Sequence, residues 1–290
     1  MSNFVIVTDS ACDLPMNMVE ELGIHVVPLA FILENETYWD YPDKRGMSTE
    51  EFYRKIAGGA MPTTNAVNVG QATDTIEPLL KEGKDVLVLA FSSGLSTTYN
   101  SFQIAVDELA EQYPERKVYA VDTLCAALGQ GLLTYLAVEQ QRAGKSIDEV
   151  RDWVEENKLH LCHWVAVDDL FHLKRGGRVS AATAVVGSML QIKPIIHVDN
   201  EGHLVNVGKV RGRKAALKTL VDKVGELGVE PEKQVMYICH SACLADAQQV
   251  AEELRAAYSP KDIMIGDIGP VIGSHTGIGV VAVFFLGRER

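Results

Sequence analysis

The chain has 290 residues, 47% hydrophobic and 23% charged, enough for one large α/β domain or two smaller ones. Its formal net charge of −12 argues against broad nucleic-acid binding, which needs a positive surface to displace counterions. No run approaches the roughly 18–20 apolar residues of a membrane helix, and Met1-Ser2-Asn3 carries no basic residue, so neither a spanning segment nor a secretory leader is expected.

Residues 4–8 are a β-branched run that reads as a strand, and Asp9-Ser10-Ala11-Cys12-Asp13-Leu14-Pro15 then leads into a short helix with Pro15 in its first turn. Asp9 caps that helix or, on the alternative reading, binds a metal or acts as a nucleophile. Residues 25–31 read as a second strand, and 34–44 as an acidic, aromatic-dotted excursion. Ser48-Thr49-Glu50-Glu51 opens a helix that stops at Gly58-Gly59. Residues 61–68 form a hydroxyl-rich loop before a helix through Ile76, Leu79 and Leu80. The apolar run 86–90 is a buried strand that enters Ser92-Ser93-Gly94-Leu95-Ser96 and a helix capped by Ser96 or Thr97. Free amides and the dipole at that helix start favour an anion, and the loop contains no acid; an ordinary capped turn is the plainer reading.

A strand at 117–121 follows, then a helical stretch from Cys125 to Ala143 that Gly129-Gln130-Gly131 is expected to interrupt, and a capping box at Ser146 and Glu149. Alternating strands and helices predict a largely parallel sheet with flanking helices over residues 1–160. Ligands of such sheets lie beyond the strands' carboxyl ends, where Asp9, Thr64, the Ser92 loop and Asp122 all fall. Residues 161–290 read as a second α/β domain with a mixed sheet. Its strands are expected at 162–167, 193–197, 203–210, 235–240, 263–265 and 279–285, with a basic loop at 174–178, a small apolar helix at 180–189, a helix at 244–258 and a glycine-flanked His275 in a loop.

No G-x-G-x-x-G, Walker loop, C-x-x-C or H-E-x-x-H is present. Cys239-His240 with Cys243 lacks a fourth zinc ligand, so no metal is assigned. Ser10, Ser92, Ser93 or Ser96 with His240 or His275 could be drawn as a hydrolase pair, yet no nucleophile elbow supports it. The five cysteines are odd in number and scattered through apolar stretches, which fits a reducing cytoplasm. Arg175, Arg178, Arg211 and Arg213 read either as one basic patch for a partner or phosphate, or as solvated surface charge.

These motifs resemble a known family. Thr8-Asp9-Ser10, Pro62-Thr63-Thr64, Ser92-Ser93-Gly94-Leu95-Ser96-Thr97-Thr98-Tyr99, Lys174-Arg175-Gly176-Gly177-Arg178, Ile192-Lys193-Pro194-Ile195 and Gly273-Ser274-His275-Thr276-Gly277 resemble, in order and over nearly the whole chain, the DegV family of bacterial fatty-acid-binding proteins. The resemblance implies two α/β domains with one long-chain fatty acid, such as palmitate or oleate, in a tunnel between them. It further implies a non-enzyme that is the acyl-carrying subunit of a fatty-acid kinase, presenting the carboxylate to a separate ATP-binding subunit, with transient membrane-surface contact and no other cofactor. On the family's pattern Thr64 and Ser96 are the carboxylate donors, with Ser93 and His275 beside them. Asn65-Ala66-Val67 stands where the family usually has Ser-Gln-Pro, Thr97 replaces a common Gly, and Ile278 replaces a Pro. Ala181, Ala182, Ala184, Val185, Gly187, Met189 and Leu190 read as tunnel lining or as plain core.

Overall fold

The β-branched run at the start forms strand β1 (Phe4–Asp9), followed by a single 3-10 turn and helix α1 (Met16–Leu22), with Pro15 at its N-cap. The structure is a computed structural model that describes residues 4–168, 170–179 and 191–290. The expected helix at 180–189, the lining residues between Ala181 and Leu190, and Asp169 lie outside the described residues.

Strands β2 (His25–Val27), β6 (Asp85–Ala90) and β7 (Val118–Asp122) join β1 in a sheet of order β2-β1-β6-β7, every neighbouring pair parallel. Crossover helices clothe both faces, as a parallel sheet requires. Val7, Val86, Val88 and Ala90 meet α3 (Val69–Lys81) and α4 (Thr98–Gln112) on one face. Ile6, Leu87 and Leu89 meet α1, α5 (Ala127–Arg142) and α6 (Ile147–Asn157) on the other. The capping box at Ser146 and Glu149 forms as expected, and Asn68 with Gln71 makes a second one at the start of α3.

The expected strand at 25–31 is two strands. Pro28 ends pairing with β1, and the chain turns into β3 (Ala30–Leu33), the middle of a small antiparallel sheet of order β4-β3-β5. The acidic excursion supplies β4 (Glu36–Trp39) through a hairpin at Glu34 and Asn35, both left-handed. The hydroxyl-rich loop supplies β5 (Thr63–Asn65), with Thr64 opposite Phe31. Helix α2 (Thr49–Ala57) covers this sheet with Phe52, Tyr53 and Ile56.

Residues 161–286 form the six-stranded mixed sheet in the order β10-β9-β8-β13-β11-β12. Its members are β8 (Leu161–Ala166), β9 (Ile192–Val198), β10 (Leu204–Arg211), β11 (Val235–His240), β12 (Asp262–Asp267) and β13 (Val281–Leu286), and only the β11–β12 pair is parallel. One face, including Cys162, Trp164, Val283 and Phe285, packs under α8 (Arg213–Leu227) and α9 (Leu244–Tyr258). The short helices α7 (Phe171–Arg175) and α10 (Pro270–Thr276) close one end, so the expected loop around His275 is a helix.

Helix α5 is continuous through Gly129-Gln130-Gly131, where an interruption was expected. It is apolar nearly all round because it is wedged between the two large sheets. A Cβ on Gly129 would lie 2.2 Å from His163 Nε2, and one on Gly131 would lie 2.7 Å from the Cys12 carbonyl. The glycines buy close approach on opposite sides of the helix. His163 is fully buried and its Nδ1 is held by the Leu161 carbonyl at 3.0 Å, so it has nowhere to retreat. Gly129→Ala is therefore expected to cost about 1–3 kcal/mol, read from urea unfolding; an unchanged midpoint would contradict this packing.

Candidate functional site

The face of the six-stranded sheet turned away from α8 and α9, partly covered by α5, lines a cavity of about 480 Å³. Its strand residues come at two-residue spacing: His163, Val165 and Val167 from β8 and its end, Ile196 and Val198 from β9, and Val280, Ala282 and Phe284 around β13. Leu29, Phe91, Leu95, Ala126, Ala127 and Val271 come from the opposite side. The volume lies within the range of small-ligand sites, and the wall is mostly apolar.

The polar groups gather at the hydroxyl-bearing segments. Thr64, Ser93, Ser96 and His275 all line this one cavity, although they come from β5, the β6–α4 loop and α10. Thr64 Oγ1 lies 2.8 Å from His275 Nε2. Ser96 Oγ accepts from the Thr98 amide at 3.2 Å and lies 2.9 Å from Thr98 Oγ1, which in turn accepts from the Val67 amide at 3.3 Å. Thr98 thus ties the two hydroxyl-bearing segments together. Ser96, not the N-cap residue Thr97, satisfies the first amide of α4. Ser93 is the most exposed of the four.

The loop is strutted from outside. Asp9 is buried and accepts from the Phe91 amide at 2.8 Å, the Ala11 amide at 3.1 Å and Gln130 Nε2 at 3.2 Å. Asp9 does not cap α1, whose N-cap is Pro15; it caps the 3-10 turn Ser10–Cys12 instead, and its second oxygen reaches across to the start of the hydroxyl loop. Burial pushes its carboxyl up to about 7 against those hydrogen bonds. Asp122 at the end of β7 accepts from the Ser93 and Leu124 amides, both at 3.1 Å. Ser92 Oγ donates to the Gly202 carbonyl at 2.9 Å, joining the loop to the β9–β10 turn.

Two of the four serines of the hydrolase reading are engaged elsewhere, and a third, Ser96, bonds Thr98. Ser10 Oγ accepts from the Leu29 amide, Ser92 bonds Gly202, and His275 faces a threonine. Among the described residues, no group of three or more His, Cys, Asp or Glu is placed to hold a metal ion. The cysteines are free, and burial pushes the Cys239 thiol on the cavity wall upward.

The electrostatics suit an anion. Burial, reinforced by Arg178 and then Arg175, pushes His275 down to about 4, so the imidazole is neutral at pH 7 and its Nδ1 has no partner among the described residues. Arg175 donates to the carbonyls of Pro62 at 3.0 Å and Ser274 at 2.9 Å. Arg178, on the cavity wall, donates to the Leu95 carbonyl at 3.1 Å. Neither has an acidic partner within ion-pair distance among the described residues. Of the other two arginines of the expected patch, Arg213 is paired with acids, 2.7 Å from Asp246 and 3.5 Å from Asp168, and Arg211 sits exposed at the end of β10.

A family profile described as an uncharacterised protein of the DegV family matches residues 3–288. The chain belongs to the DegV family. It is 49% identical over 290 residues to a DegV domain-containing protein of Clostridium perfringens strain 13, covering 100% of this chain and 99% of that one. A DegV family protein of Thermus thermophilus, described as fatty-acid binding, is similar at TM-score 0.87 and 30% identity, over 98% of this chain and 99% of its own. Bacillus subtilis DegV, described as a fatty acid binding protein, gives TM-score 0.86 at 30% identity over 99% and 100%.

Sequence reasoning on this DegV chain did not find Thr98 as the link between the two segments, nor His163 and the strand residues as cavity wall. The two-residue alternation was visible, but both faces of those strands are apolar, so periodicity could not say which faced a void. Among the described residues no helix is long and apolar enough to cross a membrane.

Proposed function

We propose that this DegV chain binds one long-chain fatty acid, with the carboxylate held by Thr64 and Ser96, Ser93 and His275 beside it, and the acyl chain along the sheet face between a domain of residues 1–160 and one of 161–290. The observation that carries this is the meeting of hydroxyls from two distant segments on the wall of one mostly apolar cavity. The descriptions of the Thermus and Bacillus relatives as fatty-acid binding support it.

The hydrogen-bond chemistry fits. Thr98 Oγ1 accepts from Val67, so its own proton is free for Ser96 Oγ; Ser96, already accepting from the Thr98 amide, then directs its proton into the cavity. A neutral His275 with its proton on Nε2 donates to Thr64 Oγ1 and frees the Thr64 proton in the same way. Two neutral hydroxyls donating to a carboxylate, with two guanidiniums nearby, balance its charge without a catalytic base. A tail of about sixteen carbons at about 0.8 kcal/mol per buried CH₂ contributes roughly 10 kcal/mol before ordering costs.

We read the protein as cytoplasmic, not an enzyme by itself, exchanging its lipid at membrane surfaces and offering the carboxylate to a separate ATP-binding kinase subunit that makes acyl phosphate. Native mass spectrometry of the purified protein, and of delipidated protein given oleate, is expected to show about one fatty acid per chain. A protein that arrives empty and takes up neither oleate nor palmitate would sink the reading.

A further inference from the structure

Helix α10, which carries His275, does not cap itself. Its N-cap is Gly269, which has no side chain, and its first residue is Pro270, which has no N–H. Carboxylates from two other segments meet this end: Gly269 N donates to Asp13 Oδ1 at 2.9 Å, and Asp40 Oδ2 packs against Gly269, 3.0 Å from where a Cβ would sit. Asp13 closes the 3-10 turn after β1, and Asp40 follows β4. Asp13 is 7% exposed and Asp40 1%, and the second oxygen of each has no partner among the described residues. Lys44 supplies the balancing charge, with Nζ 2.8 Å from Asp40 Oδ1, while Asp267 at the end of β12 adds negative charge facing Asp13.

The helix is held along its side as well. Tyr53 donates to the Ile268 carbonyl at 2.9 Å, and a Cβ on Gly273 would lie 2.6 Å from the Tyr53 hydroxyl, so α10 lies flush on α2. Its far end sets His275 Nε2 2.8 Å from Thr64 Oγ1. A two-turn helix has too few internal hydrogen bonds to fix its own position. Two carboxylates buried beside one ammonium are unfavourable unless hydrogen bonds offset the desolvation; here Lys44 supplies one to Asp40, and the Gly269 amide at the start of α10 supplies one to Asp13.

We infer that Asp13 and Asp40 are positioning residues for the head-group site: Asp13 grips the Gly269 amide at the start of α10 and Asp40, held by Lys44, packs against the same residue, so that together they fix where that helix ends and hold His275 against Thr64. The effect on lipid affinity rests on the fatty-acid reading above; the placement of the imidazole does not.

The test compares ligand-stripped wild type with Asp13→Ala, Asp40→Ala and the two Asn variants by ¹⁵N NMR of the imidazole rings, with His275→Gln giving the assignment. Wild-type His275 is expected to show one fixed tautomer. In the Ala variants its ring nitrogens are expected to average toward a free imidazole, and oleate affinity to fall about tenfold. The Asn variants, which keep the shape and a side-chain oxygen that can accept from Gly269 N at position 13 or from Lys44 at position 40, are expected to recover the wild-type ring pattern. Should an Ala variant not fold, Gly269→Ala replaces it: the backbone φ of −69° accepts alanine, but the Cβ would lie 2.6 Å from Asp13 Oδ1 and 3.0 Å from Asp40 Oδ2 and displace both carboxylates. Unchanged ring signals in a folded variant of either kind overturn the inference. Ring signals that move as expected in a protein that takes up no oleate overturn the fatty-acid reading and leave the positioning role standing.

Discussion

Thr64→Ala combined with Ser96→Ala is expected to weaken oleate binding by about a hundredfold to ten-thousandfold, because each hydrogen bond to a charged group contributes roughly 1.5–3 kcal/mol. Titration calorimetry on delipidated protein measures it. The single variants are expected to differ in a second respect. Ser96 also accepts the Thr98 amide at the start of α4, so Ser96→Ala loses a helix cap of about 0.5–2 kcal/mol and melts earlier. Thr64→Ala leaves that cap alone and frees His275 Nε2, with a smaller change in melting. Thr64→Ser keeps a donor and is expected to bind near the wild-type level. A double variant that retains its lipid would remove both hydroxyls from the site, whatever its stability.

The parts legible in sequence were those fixed by local chemistry. Gly and Pro punctuation with β-branched runs gave β1, β6, β7 and the α9 boundaries, and the Ser146 and Glu149 spacing gave its capping box. The misreadings share a cause: the deciding partner lies far along the chain. Thr64 is in a strand only because Phe31 offers it an edge, and α5 runs unbroken through two glycines because Cys12 and His163 press on it from opposite sides. His275 was placed in a loop because Gly273 and Gly277 read as breakers, whereas Gly273 is small to let α10 lie on Tyr53. The four site residues came from the family resemblance, not from periodicity, since no local rule links Thr64 to His275 across 211 positions.

Asp9 carries the second large expected effect, which lies in stability rather than binding. Its carboxyl is raised from 3.8 to about 7 by burial, so between roughly pH 4 and pH 7 the folded chain keeps a proton that the unfolded chain has released. The stability this contributes is full below about pH 4 and is lost as pH rises through 7, an upper bound of about 4 kcal/mol at 1.36 kcal/mol per pH unit. His275 works in the opposite sense: its lowered value of about 4 contributes stability that is present above about pH 6.5 and lost as pH falls toward 4. The wild-type profile is therefore a sum of opposing slopes, and the difference between wild type and Asp9→Asn isolates the buried carboxyl. At pH 4–5 the wild type is expected to be the more stable, since Asn turns an amide NH₂ toward either the Ala11 or the Phe91 N–H and leaves a buried donor unmet, at about 1–3 kcal/mol. By pH 8 the ionised wild-type group is expected to have cancelled that advantage. Urea unfolding of both proteins across pH 4 to 8 measures the gap, and a gap that stays constant would show that Asp9 titrates in the ordinary carboxylate range and that the strut to Phe91 is held by an ionised group throughout.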